Sequence, residues 1–219
     1  QVLEGAQLVE TWQADDGKSY ALAVLEKAPA ERRFRDGVRS ADRQIQDRVT
    51  YASQQAPNAV VALAALEQAR KIEHQRSNLN RNLSIVSGKG IKGFYDRASL
   101  EHLLRNALVI LHFNVEADSA QLQQSVESAI AALGITLDKN APYRLTATMD
   151  TEPVQQKQGW YWLRGSTELS LVYQGEAIAS KRWPLKVSAI DKGMVAQRAK
   201  DKLSAEMTTY LYDLITSVQ

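Results

Sequence analysis

The chain has no cysteine. That excludes disulfides, thiolate nucleophiles and cysteine-held zinc or iron–sulfur sites, and it suits an oxidising compartment as well as any other. An excess of one charge sign is also missing, since 27 Lys and Arg stand against 25 Asp and Glu for a formal net charge of +2. Such a balance sets up no strong field for a polyanion, so a nucleic-acid partner is not expected. No stretch approaches the ~18 consecutive apolar residues of a membrane-spanning helix, and no basic-then-apolar signal segment opens the chain. The opening at Gln1 instead of Met is read as the trace of something removed upstream, a signal peptide or a boundary. Histidine is scarce: His74, His102 and His112 form no HExxH and no i,i+4 pair, so no metal site is expected. There is no GxSxG, Walker or GxGxxG motif. No catalytic residue and no cofactor are therefore assigned, and the chain is read as a non-enzyme.

What is present is a patterned chain of 219 residues with 44% hydrophobic content, enough for one substantial core or two small ones. Residues 5 to 26 read as a β-hairpin around "DDGK", with Leu8, Trp12, Tyr20, Leu22 and Val24 alternating with smaller or more polar side chains. A three-residue loop at Asp15–Gly17, with Gly17 left-handed, sets Trp12 opposite Tyr20 and Glu10 opposite Leu22. Asp16 is then turn chemistry.

From Pro29 the period changes to that of a helix, with Phe34, Val38, Ala41, Ile45, Val49 and Ala52 inward. Pro57 divides it from a second series, Val61, Ala65, Ala69, Ile72, Leu79, Leu83 and Val86, ending near Ser87-Gly88. The two should pack as an antiparallel helical hairpin. Arginines 32, 33, 35, 39, 43 and 48 interleave with Glu31, Asp36, Asp42 and Asp47 as a solvated, salt-bridged face. "SGKGIKGFYDR", residues 87 to 97, lacks Walker spacing and reads as a linker. It divides a first part, 1–88, from a second, 89–219.

The second part reads as a helix over Ser99 to Ala107, a strand through Val109, Leu111, Phe113 and Val115, and a capped helix over "DSAQLQQSVESAIAALG". A further strand follows that helix. Three more strands carry Tyr143, Leu145, Ala147 and Met149; Leu169, Leu171 and Tyr173; and Trp183, Leu185 and Val187, the last two joined at Gln174-Gly175-Glu176. Asp191 caps a final helix with Val195, Ala199, Leu203, Met207, Leu211, Leu214 and Val218 as its buried stripe. The fold class is α+β: a β-hairpin, a long helical hairpin, then a mainly antiparallel sheet with helices on one face.

The run "GWYWLRG", residues 159 to 165, is the least ordinary feature. Along a strand Trp160 and Trp162 point to one side and Tyr161 to the other. They are read either as core packing or, with Arg164, as an exposed anchor for a partner protein, since Trp, Tyr and Arg dominate interface energetics. Trp183 precedes Pro184, which removes a ladder donor and marks an edge strand or bulge, so it joins the candidate docking residues.

The run "LEGAQLVETWQADDGKSYALAVLEKAPA" resembles the hairpin of the twenty-kilodalton bacterial outer-membrane lipoprotein family (LPP-twenty). Trp12, Asp16, Gly17 and Tyr20 through Leu25 stand at its Trp, Asp/Gly turn and Tyr-Ala-Leu-Ala-Val-Leu. "AALEQARKIEHQRSNLNRNLSIVSG" is similar to the helical stretch of larger members from Gram-negative bacteria. The second half looks, in topology, like small periplasmic α+β envelope domains. The resemblance implies export by a signal peptide, an N-terminal lipid anchor, a periplasmic location at the outer membrane, and no catalytic residue.

The first expectation is a non-enzymatic periplasmic lipoprotein that binds envelope proteins during surface-structure assembly or for envelope integrity, with Trp160, Trp162, Arg164 and Trp183 as docking residues. The alternative is a periplasmic carrier of a glycan or apolar molecule. A cytoplasmic nucleic-acid protein using the Arg-rich helix ranks below both.

Overall fold

The computed structural model describes residues 6 to 218; Gly5, where the expected hairpin begins, lies outside them. The element order is β1 (Gln7–Gln13), β2 (Ser19–Val24), α1 (Lys27–Gln54), α2 (Ala59–Ser87), α3 (Arg97–Val109), β3 (His112–Ala117), α4 (Ala120–Ala132), β4 (Thr136–Leu137), β5 (Tyr143–Thr151), β6 (Gln155–Lys157), β7 (Trp160–Tyr173), β8 (Glu176–Ala189) and α5 (Lys192–Ile215). The chain is α+β. It forms two compact units that interleave along the sequence: the described residues of Gln1–Thr50 with Gln68–Glu101, and Tyr51–Glu67 with the described residues of His102–Gln219. Both long helices contribute turns to each unit.

In the first unit, β1 and β2 pair antiparallel with Trp12 opposite Tyr20 and Glu10 opposite Leu22. The turn sets this register: Ala14 N–H donates to Lys18 O and Gly17 N–H to Ala14 O, both at 2.9 Å. Gly17 sits at φ +81°, a conformation that costs a side-chain-bearing residue ~1 kcal/mol or more. α1 and α2 run antiparallel, as the contacts between them show. Leu83 packs with Phe34, Leu79 meets Gly37 and Arg76 binds Asp42, with numbers rising on one helix as they fall on the other. Ala30, Phe34, Val38 and Leu83 form a buried cluster with Leu25, Leu79, Val86 and Ile91 against it.

Two polar residues of α2, buried Arg76 and half-buried Asn80, hold the segment that follows it, which its periodicity does not reveal. Arg76 is 5% exposed and donates from Nε to Asp42 at 2.5 Å and from Nη2 to the Ile91 carbonyl at 2.9 Å. Asn80 Oδ1 accepts from Ile91 N–H at 2.7 Å. A Cβ on Gly90 would lie 2.8 Å from the Asn80 amide and one on Gly93 2.8 Å from the Arg76 guanidinium. The Gly-rich stretch expected as a plain linker is thus anchored to α2, its glycines leaving room for the polar side chains beneath. Asp96 then starts α3 with a reciprocal cap: its Oδ1 accepts from Ser99 N–H at 2.8 Å, and its own N–H donates to Ser99 Oγ at 3.0 Å.

The second unit holds the large sheet, in which β7 pairs β8 along one side and β5 and β6 along the other, while β5 continues to β3 and β3 to β4. The β3 pairings are parallel and those of β7 antiparallel. Val109, expected in a strand, instead ends α3, and β3 starts at His112; a strand pattern that begins inside a helical run is ambiguous until the end of the helix is fixed. Ser119 caps α4, accepting from Leu122 N–H at 3.3 Å, and Asp191 caps α5, accepting from Gly193 N–H at 2.6 Å. The core holds Phe113, Leu145, Leu169 and Leu171 from the sheet and Leu122, Ile130, Met207 and Leu211 from the helices. Tyr143 stacks on Tyr173 at 4.7 Å, meets Phe113 edge-on and accepts Ala59 N–H at 3.0 Å. Burial raises its phenol pKa.

Candidate functional site

The site is built at one end of the large sheet, where β6 turns into β7. Gln158 (φ +53°) and Gly159 (φ +78°) form a two-residue turn with both residues left-handed, the geometry that suits the twist of paired strands. It sets Lys157 opposite Trp160 and Gln155 opposite Trp162. Along β7, Thr167, Leu169 and Leu171 are buried, so the residues of the other parity, Trp160, Trp162, Arg164 and Glu168, share the opposite face.

On that outer face the Trp pair and Arg164 come together with cations from neighbouring strands. β8 places Ser188 opposite Trp162 and Lys186 opposite Arg164. The Lys186 ammonium sits 5.1 Å from the Trp162 ring centroid, within cation–π range. Trp160 is 41% exposed, Arg164 is exposed and Trp162 half-buried. The strand is held there by Glu152 N–H donating to Arg164 O at 2.9 Å. Glu152, Pro153, Gln155, Lys157, Trp162 and Arg164 line a concavity of about 170 Å³. Further along, the face becomes a polar ladder: Arg182 binds Glu168 at 2.7 Å and Ser180 donates to it at 3.0 Å. The Arg182 guanidinium, first through its hydrogen bonds, holds the Glu168 carboxyl below its usual pKa.

Trp183 does not join this group. It lies opposite Thr167, on the inner face, stacked on Tyr210 of α5 with ring centroids 4.5 Å apart and planes 12° from parallel. Tyr210 donates its hydroxyl to Glu206, and burial first, then that bond, pushes its pKa up to about 12. The separation has one physical cause. The Gln174-Gly175 turn sets Tyr173 opposite Glu176 and Val172 opposite Ala177, but Leu171 is opposite Ala179. The extra residue in β8 is a bulge, and because side chains alternate with period two it moves every later β8 residue to the other face. Counted straight from the turn, Trp183 would stand opposite Ser166 beside the Trp pair.

Lys186 and Lys157 are not singled out by any motif in the sequence. The strand pattern holds a usable signal for Lys186: Trp183, Leu185 and Val187 as one inward face put Lys186 outward and require the bulge. Among the described residues no group of three or more His, Cys, Asp or Glu is placed to hold a metal ion. The arrangement can grip an anionic or aromatic surface, and it pairs no nucleophile with a base.

No protein-family model matches the chain, and no curated protein sequence does. Solved structures that match in part include a minor lipoprotein from Acinetobacter baumannii, 15% identical, covering 47% of this chain and 90% of that one with a TM-score of 0.39. Protein XCC0632 from Xanthomonas campestris is 14% identical, over 49% and 85% of the two chains, with a TM-score of 0.40. The rare lipoprotein B from Shewanella oneidensis is 8% identical, over 48% and 91%, with a TM-score of 0.31. Likenesses of this size carry no argument about what the chain does.

Proposed function

We propose that this chain is a non-enzymatic protein-interaction module of the bacterial envelope, anchored through a lipid at the outer membrane and facing the periplasm, and that the outer sheet face around Trp160, Trp162 and Arg164 is its docking surface. The observation that carries the reading is exposed Trp160 beside half-buried Trp162, set among Arg164, Lys186 and Lys157. Trp and Arg are the residues that concentrate binding energy at protein interfaces. The concavity beside Trp162, about 170 Å³, is well under the ~300 Å³ at which small-molecule sites begin. A flat contact with an acidic or aromatic protein surface therefore fits better than a pocket-bound glycan. Trp183 takes no part in the proposed surface, because it packs on Tyr210.

The address rests on the resemblance carried by Trp12, Asp16, Gly17 and Tyr20 through Leu25. Mass spectrometry of the native amino terminus tests the anchor: an acylated cysteine upstream of Gln1 is expected, and a native protein without one would remove it. For the surface, a photo-crosslinking residue at position 160 in intact cells should capture a defined envelope protein, and Trp162→Ala with Arg164→Ala should abolish that capture while leaving the thermal transition in place. Equal capture from position 160 and from exposed position 137, on the far edge of the sheet, would defeat the proposal.

A further inference from the structure

The β1–β2 hairpin is exposed over every residue of both strands. On one face Trp12, Tyr20, Leu22 and Val24 form a stripe, 48%, 43%, 44% and 47% exposed. A two-stranded hairpin in water is marginal, and a third strand or more is ordinarily needed for stability. Its two edges differ. β1 carries Glu10 in mid-strand and a bulge at Val9, the devices that blunt an edge against pairing. β2, "SYALAV", is regular and has no charge, no proline and no glycine.

The free hydrogen-bonding groups of β2 follow from the turn. Ala14 N–H donates to Lys18 O, so Lys18, Tyr20 and Leu22 direct their backbone groups toward β1. Ser19, Ala21 and Ala23 then direct theirs outward. We propose that this open edge of β2 pairs antiparallel with β2 of a second copy of this chain, Leu22 facing the second copy's Leu22, to make a four-stranded sheet in which the two apolar stripes join across the seam and Glu10, Lys18 and Glu26 form the rim.

Charge and parity select that register. With Leu22 on the two-fold axis, Ala21 exchanges backbone hydrogen bonds with the second copy's Ala23, Tyr20 lies opposite Val24, and Lys18 lies opposite Glu26, the last pair occurring twice by symmetry. Slipping the partner by two residues toward the turn sets Asp16 against Glu26, two like charges. Slipping it two the other way sets Tyr20 against Glu26. Lys18 is available for the exchange: its ion pair with Asp16 is local, and its side chain is 72% exposed. The isologous pairing closes on itself and leaves only the blunted β1 edges outside.

Sedimentation equilibrium of the whole chain over a concentration series tests this. The mass should rise from 24.4 kDa toward twice that value. Lys18→Glu and Glu26→Lys should each raise the dimer dissociation constant by about tenfold, since each replaces two attractive pairs by two repulsive ones, and the double exchange Lys18→Glu/Glu26→Lys should restore it. Ala21→Pro, which removes an outward N–H at an edge where proline is tolerated, should leave a folded monomer. A monomer at every concentration overturns the proposal. A dimer indifferent to Ala21→Pro, or one not restored by the double exchange, overturns the β2 interface or its register. These residues are distinct from Trp160, Trp162 and Arg164, so either reading can fail without the other.

Discussion

Of the antiparallel hairpins closed by left-handed glycine turns, β1–β2 and β7–β8 each contribute to a Trp–Tyr stack of nearly the same geometry. In the β1–β2 hairpin Trp12 and Tyr20 stack at 5.4 Å and 13°. On β8, Trp183 stacks at 4.5 Å and 12° on Tyr210 of α5. Yet Trp12 is 48% exposed, while Trp183 lies under a helix. The difference is cover. β7 and β8 bury Leu169, Leu171, Leu185 and Ala189 against α5 and its neighbours, whereas β1 and β2 bury none of their residues. Turn chemistry and cross-strand pairs suffice to define a hairpin, but burial of apolar area is what gives it stability, at roughly 25 cal/mol per Å².

The largest expected contrast is between core and hairpin leucines. Leu171→Ala, at a fully buried position, should cost ~2–5 kcal/mol, the transfer term plus the cavity left behind. Leu22→Ala, at a position 44% exposed, should stay within ~0.5–1 kcal/mol in dilute solution. Urea denaturation of both reads the ratio directly, and equal losses would break the comparison.

A smaller contrast comes from two glycines required for different reasons. A Cβ on Gly165 would stand 2.1 Å from the Asp150 carbonyl oxygen of β5, a backbone atom that cannot swing away. Gly165→Ala should therefore cost ~2–3 kcal/mol through forced separation of β5 and β7. Gly17 meets nothing within 4 Å and is held only by its φ of +81°, so Gly17→Ala should cost ~1 kcal/mol. Thermal transitions of the two variants should fall in that order.

The smallest effect is electrostatic. Tyr210 is raised from 10.0 to about 12, burial leading and Glu206 adding to it. A folded pKa above the unfolded one means that the folded state keeps its proton longer. The stability this contributes is present below pH ~10 and lost as pH rises toward 12. Difference absorbance titration of the protein against Tyr210→Phe should show a phenol ionising near pH 12, and Glu206→Gln should bring it only part of the way back, because burial is the leading cause. An ordinary Tyr210 titration would mean that α5 does not cover β8 as described.

Much of this architecture is legible in the residues. The three-residue turn at Asp15–Gly17 sets Trp12 against Tyr20 because only that loop length pairs the aromatics. The buried stripes of α1 and α5, from Phe34 to Val49 and from Val195 to Leu214, repeat with the helical period, and Ser119 and Asp191 cap where short polar residues precede such stripes. Arg76 was less legible, because an arginine on a polar-looking face gives no sign that Asp42 and the Ile91 carbonyl will enclose it. Nor does "SGKGIKG" show that two of its glycines are needed over Asn80 and Arg76.

The candidate docking face divides along the same line. That Trp160 and Trp162 share a side is fixed by alternation along β7. That Trp183 is turned away from them depends on one bulged residue in β8, and that the Trp pair meets Lys186 depends on the same residue. The local terms, namely turns, caps, periodicities and the hairpin register, follow from the residues alone, because those energies act over a few neighbouring residues. Which faces are covered depends on the distant elements that arrive in the folded chain: packing half-buries Trp183 against Tyr210, encloses Arg76, and leaves the β1–β2 hairpin and the Trp160 face open.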